Sequence, residues 1–354
     1  MIKQFATASI AVLLWGSPAL AQTIYPIDRA EILVGAQFDF KVEFPERVDP
    51  AKLKVTVNGT DYSAAFGRSA TFVDREDGKD QSALILRDVA LTKPGSVTVE
   101  AGDGARSRTV TWSVYDTGPR KAKNVILFIG DGLSPAHRVA ARILSKGITE
   151  GKSRGKLAID DMPHMALVAT AGSDSIITDS ANSASAYATG HKTATNAMGV
   201  YADRTANPFD DPKVETITSI AKRRLGLGIG IVTNTEIEDA TPAAMVAHTR
   251  RRATYDEIVE QFFAAKPDVL MGGGSANFLP KGAEGSRRKD DIDYVARFRD
   301  AGYQVATTRP ELDAAAKSDT RKLLGLFASG NMDGALDRKF LGAAASRSFP
   351  SSLI

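Results

Sequence analysis

Cysteine is absent from the 354 residues. That excludes disulfides, thiolate metal sites and a cysteine nucleophile, so a metal could be held only by carboxylates, imidazoles or hydroxyls. Histidine is scarce as well: His137, His164, His191 and His248 are the whole set, and no two stand three or four residues apart. No helix face can therefore present an imidazole pair. An excess of charge of one sign is also missing, with 45 Lys plus Arg against 42 Asp plus Glu and a formal net charge of +3. So even a balance excludes classes that work through a strong basic field, and no nucleic-acid partner is expected. The apolar run at residues 5–15 is too short to span a bilayer. Preceded by Lys3 and followed by Ala19-Leu20-Ala21, it makes residues 1–21 a signal peptide, and it predicts a secreted or periplasmic chain with no transmembrane segment after cleavage. An exported fold without cystine bridges rests on core burial alone, which a chain of this size can supply.

What is present divides in two. Residues 22–115 are strand-like: 53–57 alternate into Asn58-Gly59, a strong hairpin-turn dipeptide, and 84–91, 97–100 and 110–115 repeat the period of two. A small β-sandwich domain of immunoglobulin-like size is expected there. Asn58-Gly59-Thr60 also matches a glycosylation acceptor, but a turn accounts for the same residues. Residues 116–123 (DTGPRKAK) form a polar linker. From residue 124 the pattern becomes α/β, with strands expected at 124–129, 165–171, 227–233, 268–271 and 303–306, and helices at 135–144, 254–265 and 291–301. This order predicts a mainly parallel sheet flanked by helices, with ligands at the carboxyl ends of its strands. Gly226, Gly228 and Gly230 do not make a dinucleotide fingerprint, because their spacing is wrong and they precede or enter a strand instead of following one.

Three short segments concentrate functional groups. Asp131 stands between Gly130 and Gly132 where the first expected strand stops, a place where the backbone can turn tightly and offer a carboxylate to a metal. An ordinary Asp-Gly turn explains the same residues. Residues 178–190 (TDSANSASAYATG) are small enough for a closely packed helix with Ser180 at its amino end, where free N–H groups favour an anion. Capping by Asp179 or Ser180 is the competing explanation. In Glu238-Asp239-Ala240-Thr241-Pro242, Asp239 and Thr241 stand two apart and offer hard oxygens of the kind magnesium prefers. Pro242 fits a first helical turn, which makes Thr241 a cap on the competing reading. Arg250, Arg251 and Arg252 follow, and the residue pattern does not choose which of them could fork onto phosphate.

Taken together, NVILFIGDG at 124–132, TDSANSASAYATGHKT at 178–193 and EDATPAAMVAH at 238–248, with MGGGSANFLP at 271–280 and LLGLF at 323–327, resemble the metal-dependent alkaline phosphatases of bacterial and animal type. The resemblance runs to residue 341 and covers the amino-terminal portion of that catalytic domain, 124–341. It implies hydrolysis of small phosphomonoesters through a phosphoserine at Ser180, with zinc and magnesium as cofactors. Asp131 would bridge a zinc ion and the magnesium ion, Asp239 and Thr241 would ligate magnesium, and Arg252, thirteen residues beyond Asp239, would clamp the phosphate. A homodimer is compatible with it. Metal-activated serine chemistry of this kind is physically sound: a divalent ion stabilises the alkoxide, and a guanidinium binds the equatorial oxygens.

The sequence also departs from that family. The family's later zinc ligands, an Asp-x-x-x-His, an Asp-His pair and a late His, have no counterpart after His248, and residues 342–354 (GAAASRSFPSSLI) diverge. The expectation is a premature end or altered frame near residue 342, poor stability and little phosphatase activity. A sulfatase or phosphodiesterase of the same superfamily, and a noncatalytic envelope-binding protein using its β-domain, stand as the alternative functions.

Overall fold

The computed structural model describes residues 21–340; the expected signal peptide, apart from Ala21, and the divergent tail 342–354 lie outside the described residues. Between Thr23 and Tyr115 the chain forms β1 (Thr23–Tyr25), β2 (Glu31–Leu33), β3 (Gln37–Phe44), β4 (Lys54–Val57), β5 (Thr60–Asp61), a short α1 (Tyr62–Phe66), β6 (Thr71–Val73), β7 (Ser82–Ala90), β8 (Gly95–Gly102) and β9 (Ser107–Tyr115). One sheet has the order β1-β3-β7-β6 and is antiparallel throughout. The other has the order β2-β9-β8-β4-β5, with β2 parallel to β9. Asn58 and Gly59 turn β4 into β5, both at positive φ (49° and 77°), as a tight hairpin turn requires. The two sheets share one core in which Phe38, Phe40, Val42 and Leu86 face Val55, Val99, Val110 and Trp112. Trp112 is wholly buried, meets Phe38 and Phe40 edge-on, and donates its indole N–H to the Pro26 carbonyl at 3.0 Å.

The second part contains α2 (Pro135–Lys146), a small hairpin β10 (Ile148–Thr149) and β11 (Lys152–Ser153), α3 (Ser180–Thr189), α4 (Ile217–Leu225), β12 (Gly230–Glu236), α5 (Ala240–Ala243), α6 (Tyr255–Ala265), β13 (Val269–Gly273), α7 (Tyr294–Asp300), β14 (Gln304–Ala306), α8 (Arg309–Lys317), β15 (Leu323–Leu326) and α9 (Ala335–Phe340). A four-stranded parallel sheet of order β12-β13-β15-β14 runs through it. Leu270, Leu324 and Leu326 from that sheet pack with Ile258, Val259 and Phe262 of α6 and Tyr294, Val295 and Phe298 of α7. Phe298 is fully buried, with Phe263, Phe278 and Tyr303 around its ring. Truncation there removes a large apolar side chain from a close-packed cluster, so Phe298→Ala is expected to cost about 3–5 kcal/mol in urea unfolding. An unchanged midpoint would show that this cluster does not hold the fold.

The parallel sheet is smaller than the sequence pattern implies. The expected strands at 124–129 and 165–171 do not form: both segments lack regular structure, and Phe128 (88% exposed) and Leu167 (97%) lie on the surface. A strand needs a neighbour for its N–H and C=O groups, and neither segment pairs with one among the described residues. Only Ile129, at the end of the first run, packs against the main core. The third expected strand begins later than 227, because α4 extends to Leu225 and Gly226 closes it in left-handed conformation, with Leu227 bonded back to the Ala221 carbonyl. The helix expected at 135–144 forms as α2, with Ser134 at its cap position and the His137 ring 2.9 Å from the Ser134 hydroxyl.

Candidate active site

Close approach of α3 and α5 follows from their composition. Ala181, Ala184 and Ala188 of α3 are buried against Ala240, Ala243 and Ala244, so the two backbones meet with little side chain between them. Asp179 caps α3: its carboxylate accepts from the Asn182 amide at 2.9 Å, and the Asn182 side chain accepts from the Asp179 amide at 3.0 Å. With the capping done by its neighbour, Ser180 keeps its hydroxyl free for other contacts at the first helical position. Asp239, not Thr241, caps α5, by accepting from the Ala240 amide at 2.8 Å. That corrects the competing reading of Thr241 and leaves its hydroxyl available.

The five sequence-predicted residues fall into two contact groups, Arg252 with Ser180 and Asp239, and Thr241 with Asp131, and the short α5 segment that carries both Asp239 and Thr241 joins them. Arg252 donates Nη1 to the Ser180 Oγ at 3.3 Å and to Asp179 Oδ2 at 3.4 Å, and Nη2 to Asp239 Oδ1 at 2.8 Å. Thr241 Oγ1 donates to Asp131 Oδ2 at 3.1 Å. Asp131 stands on a turn closed by the Leu133 amide donating to the Gly130 carbonyl, so the ordinary turn and the contact with Thr241 hold together. Burial works against the charge on Arg252, but the Asp239 and Asp179 carboxylates outweigh it and hold the guanidinium above the usual arginine range.

The donor set suits one metal class better than another. Asp131, Thr241 and Asp239 supply hard oxygens, which fit magnesium with water completing its shell. Alone they lack the imidazoles that usually complete a zinc site. Among the described residues no group of three His, Asp or Glu side chains is arranged to hold a metal, and the four imidazoles are engaged elsewhere or exposed. His191 is packed against Tyr201 with Nδ1 2.6 Å from its hydroxyl, His248 Nε2 lies 3.1 Å from the Val214 carbonyl, His137 bonds at the start of α2, and His164 is exposed.

Burial pushes the His191 imidazole down to about 4. An unfolded imidazole titrates near about 6.5, so the folded state binds the proton less well than the unfolded one. The resulting stability is full above about pH 6.5 and is lost as pH falls toward 4, a contribution on the order of 3 kcal/mol. Replacing His191 by Gln, which keeps a partner for Tyr201, is expected to flatten the acid side of the unfolding profile in this window; an unaltered profile would contradict the assignment.

Two groups near the site carry no strong sequence signal. Glu238 is fully buried beside Asp239, receives the Asn277 amide on Oε1, and is pushed up to about 8, chiefly by burial. Asp179 binds Arg252 as well as capping α3. The sequence offers Asp179 only as a cap, not as a partner of the arginine.

Residues 122–342 match the family model described as alkaline phosphatase. The chain belongs to the alkaline phosphatase family. Among its relatives, the alkaline phosphatase of Escherichia coli (strain K12) is 34% identical over 268 residues, which cover 68% of this chain and 53% of that protein. The streptomycin-6-phosphate phosphatase of Streptomyces griseus is 35% identical over 235 residues, covering 60% of this chain and 49% of that one. Among solved structures, a cold-active alkaline phosphatase from a psychrophilic Shewanella sp. matches with a TM-score of 0.49 and 29% identity, covering 59% of this chain and 47% of that one. The chain thus spans about half the length of the curated relatives it matches. Both named relatives are phosphatases, which favours neither the sulfatase or phosphodiesterase alternative nor an envelope-binding protein.

Proposed function

We propose that this chain handles phosphomonoesters, with Ser180 as the group that accepts the phosphoryl moiety and Arg252 as its clamp. The observation that carries the reading is the single guanidinium that reaches the Ser180 hydroxyl at 3.3 Å while Asp239 holds its other arm at 2.8 Å. A hydroxyl at the first turn of α3 lies where helix N–H groups favour an anion. The Arg252 N–H pointing at Ser180 Oγ favours the alkoxide over the alcohol, and the fork geometry suits two equatorial oxygens of a phosphoryl group. In the proposed step the Ser180 Oγ–P bond forms as the ester P–O bond breaks; the serine proton leaves to solvent and the departing alcohol takes one up. Water later cleaves the phosphoserine.

Asp131, Asp239 and Thr241 would hold magnesium, which when bound supplies positive charge that stabilises oxyanions and lowers the pKa of oxygens it contacts. No step is assigned to zinc. The proposed organisation keeps residues 22–115 as an immunoglobulin-like sandwich, 116–123 as linker and 124–341 as part of the catalytic domain, in an exported chain. Among the described residues no helix is long and apolar enough to cross a membrane.

An ester with a good leaving group tests the serine without demanding that the site stabilise the departing oxygen. Purified chain mixed with 2,4-dinitrophenyl phosphate and magnesium, then acid-quenched, is expected to carry one phosphate on Ser180 by peptide mass spectrometry and none in Ser180→Ala. Phosphate on another residue, or on none, would overturn the reading.

A further inference from the structure

Between the β-sheets and the candidate site runs a lateral series of backbone bridges. β3 pairs through Phe38 with Val214, the Asp39 amide donates to the Lys213 carbonyl at 2.8 Å, and the Glu215 amide donates to the Gln37 carbonyl at 2.9 Å. Segment 213–215 pairs in turn with 199–201: Val200 bridges Lys213, the Val214 amide donates to the Gly199 carbonyl at 2.9 Å, and the Tyr201 amide to that of Pro212 at 2.8 Å. Met198 then exchanges hydrogen bonds with Thr249 at 2.8 and 3.0 Å, and the Arg252 amide donates to the Asn196 carbonyl at 3.0 Å. Gly199 sits at the tightest point. A Cβ there would stand 2.5 Å from the Ala247 carbonyl oxygen, and its φ is +63°, so only glycine fits.

A buried ion path follows the same direction. Lys41 on β3 contacts Asp203 at 2.6 Å, Glu76 at 2.7 Å and Glu43 at 3.2 Å. Asp203 passes the contact to Arg250 at 3.3 Å, and Arg250 also reaches Asp211 at 2.9 Å and the carbonyls of Asp203 and Thr205. The Lys41, Asp203 and Asp211 side chains are 0–1% exposed. Arg250 is two residues from Arg252, on a stretch that belongs to no helix or strand. Without outside support such a stretch is free to shift, and a clamp displaced by 1 Å loses much of its effect.

We infer that the N-terminal β unit is a positioning element for the phosphate clamp, with Lys41, Asp203 and Arg250 as its positioning residues. The inference rests on Arg252 being that clamp. The bridges fix the height of residues 249–252 against α3, and the ion path prevents them from sliding, so the sheet core becomes the rigid reference for the Arg252 fork. The β unit is thereby part of the working site rather than a separate attachment module.

The test uses the full chain as wild type, as Lys41→Met/Glu76→Gln, which leaves the net charge of the network unchanged, and as Lys41→Arg, which preserves the contact. Amide hydrogen exchange in the double variant is expected to rise at least about tenfold at 198–201 and 249–252 while β13 and β15 stay as in wild type. Inorganic phosphate, titrated calorimetrically in the presence of magnesium, is expected to bind about tenfold more weakly. Lys41→Arg is expected to restore both. Should the double variant not fold, Asp203→Asn, which keeps the side-chain shape, is expected to shift both readouts in the same direction. Faster exchange confined to 37–44 and 203–211, with wild-type phosphate affinity, would overturn the inference and leave the phosphate site standing. No phosphate binding by the wild-type chain would instead overturn the clamp itself, and the positioning role with it.

Discussion

Replacing Arg252 by alanine is expected to slow phosphorylation of Ser180 by about 10²–10³-fold, the usual loss when one preorganised donor aimed at developing charge is removed. The guanidinium contacts Ser180, Asp179 and Asp239 together, so its removal strips the serine of this cationic neighbour and frees two carboxylates to repel an incoming phosphate. Arg252→Lys restores charge but not the fork and is expected to fall between the two. Stability should change little. Asp179 and Asp239 remain as helix caps, and ion pairs that are partly exposed contribute about 1 kcal/mol or less. Stopped-flow release of dinitrophenolate, read alongside urea unfolding, checks both parts. A rate within about threefold of wild type would remove Arg252 from the reaction.

Loss of magnesium response is the second large effect. If Asp131, Asp239 and Thr241 hold the ion, magnesium raises the unfolding free energy of the wild-type chain by mass action, about 1.4 kcal/mol at ten times its dissociation constant. The double variant Asp131→Asn/Asp239→Asn is expected to abolish that increment. Asparagine caps a helix nearly as well as aspartate, and Asp131 is exposed, so the fold tolerates both changes. Thr241→Val is expected to weaken the response without removing it. Melting curves across a magnesium series decide the matter, and a double variant that responds as the wild type does would place the ion elsewhere.

Much of the candidate site is legible because the chemistry proposed for it sits in short motifs. Ser180, Asp239, Thr241 and Asp131 each stand in a segment whose small residues or glycines already demanded close packing, and the alanines of α3 and α5 supply it. The choice of Arg252 among three arginines was not legible from pattern; the family spacing supplied it. The structure sends Arg250 the other way, into the buried acidic loop, and Arg252 to Ser180.

The fold was less evenly readable, for two opposite reasons. In β3, Asp39, Lys41 and Glu43 alternate with Phe38, Phe40, Val42 and Phe44, a pattern that ordinarily means one wet face. Here both faces are buried, because the polar side chains meet Asp203, Arg204 and Lys213 from the second part. Residues 124–129 fail in the other direction. A continuous apolar run encodes burial on both faces, but pairing requires a neighbouring strand, and none among the described residues pairs with it. Sequence reports what a segment needs, whereas the partners that meet the need are distant in the chain.

The most direct measurement is a crystal structure of the full chain with inorganic phosphate and magnesium. One phosphate is expected, its oxygens about 3 Å from the Arg252 guanidinium and its phosphorus facing Ser180 Oγ, with a magnesium ion among the oxygens of Asp131, Asp239 and Thr241. A phosphate bound at another surface, with Ser180 Oγ and Arg252 turned to different sides of the molecule, would contradict this expectation.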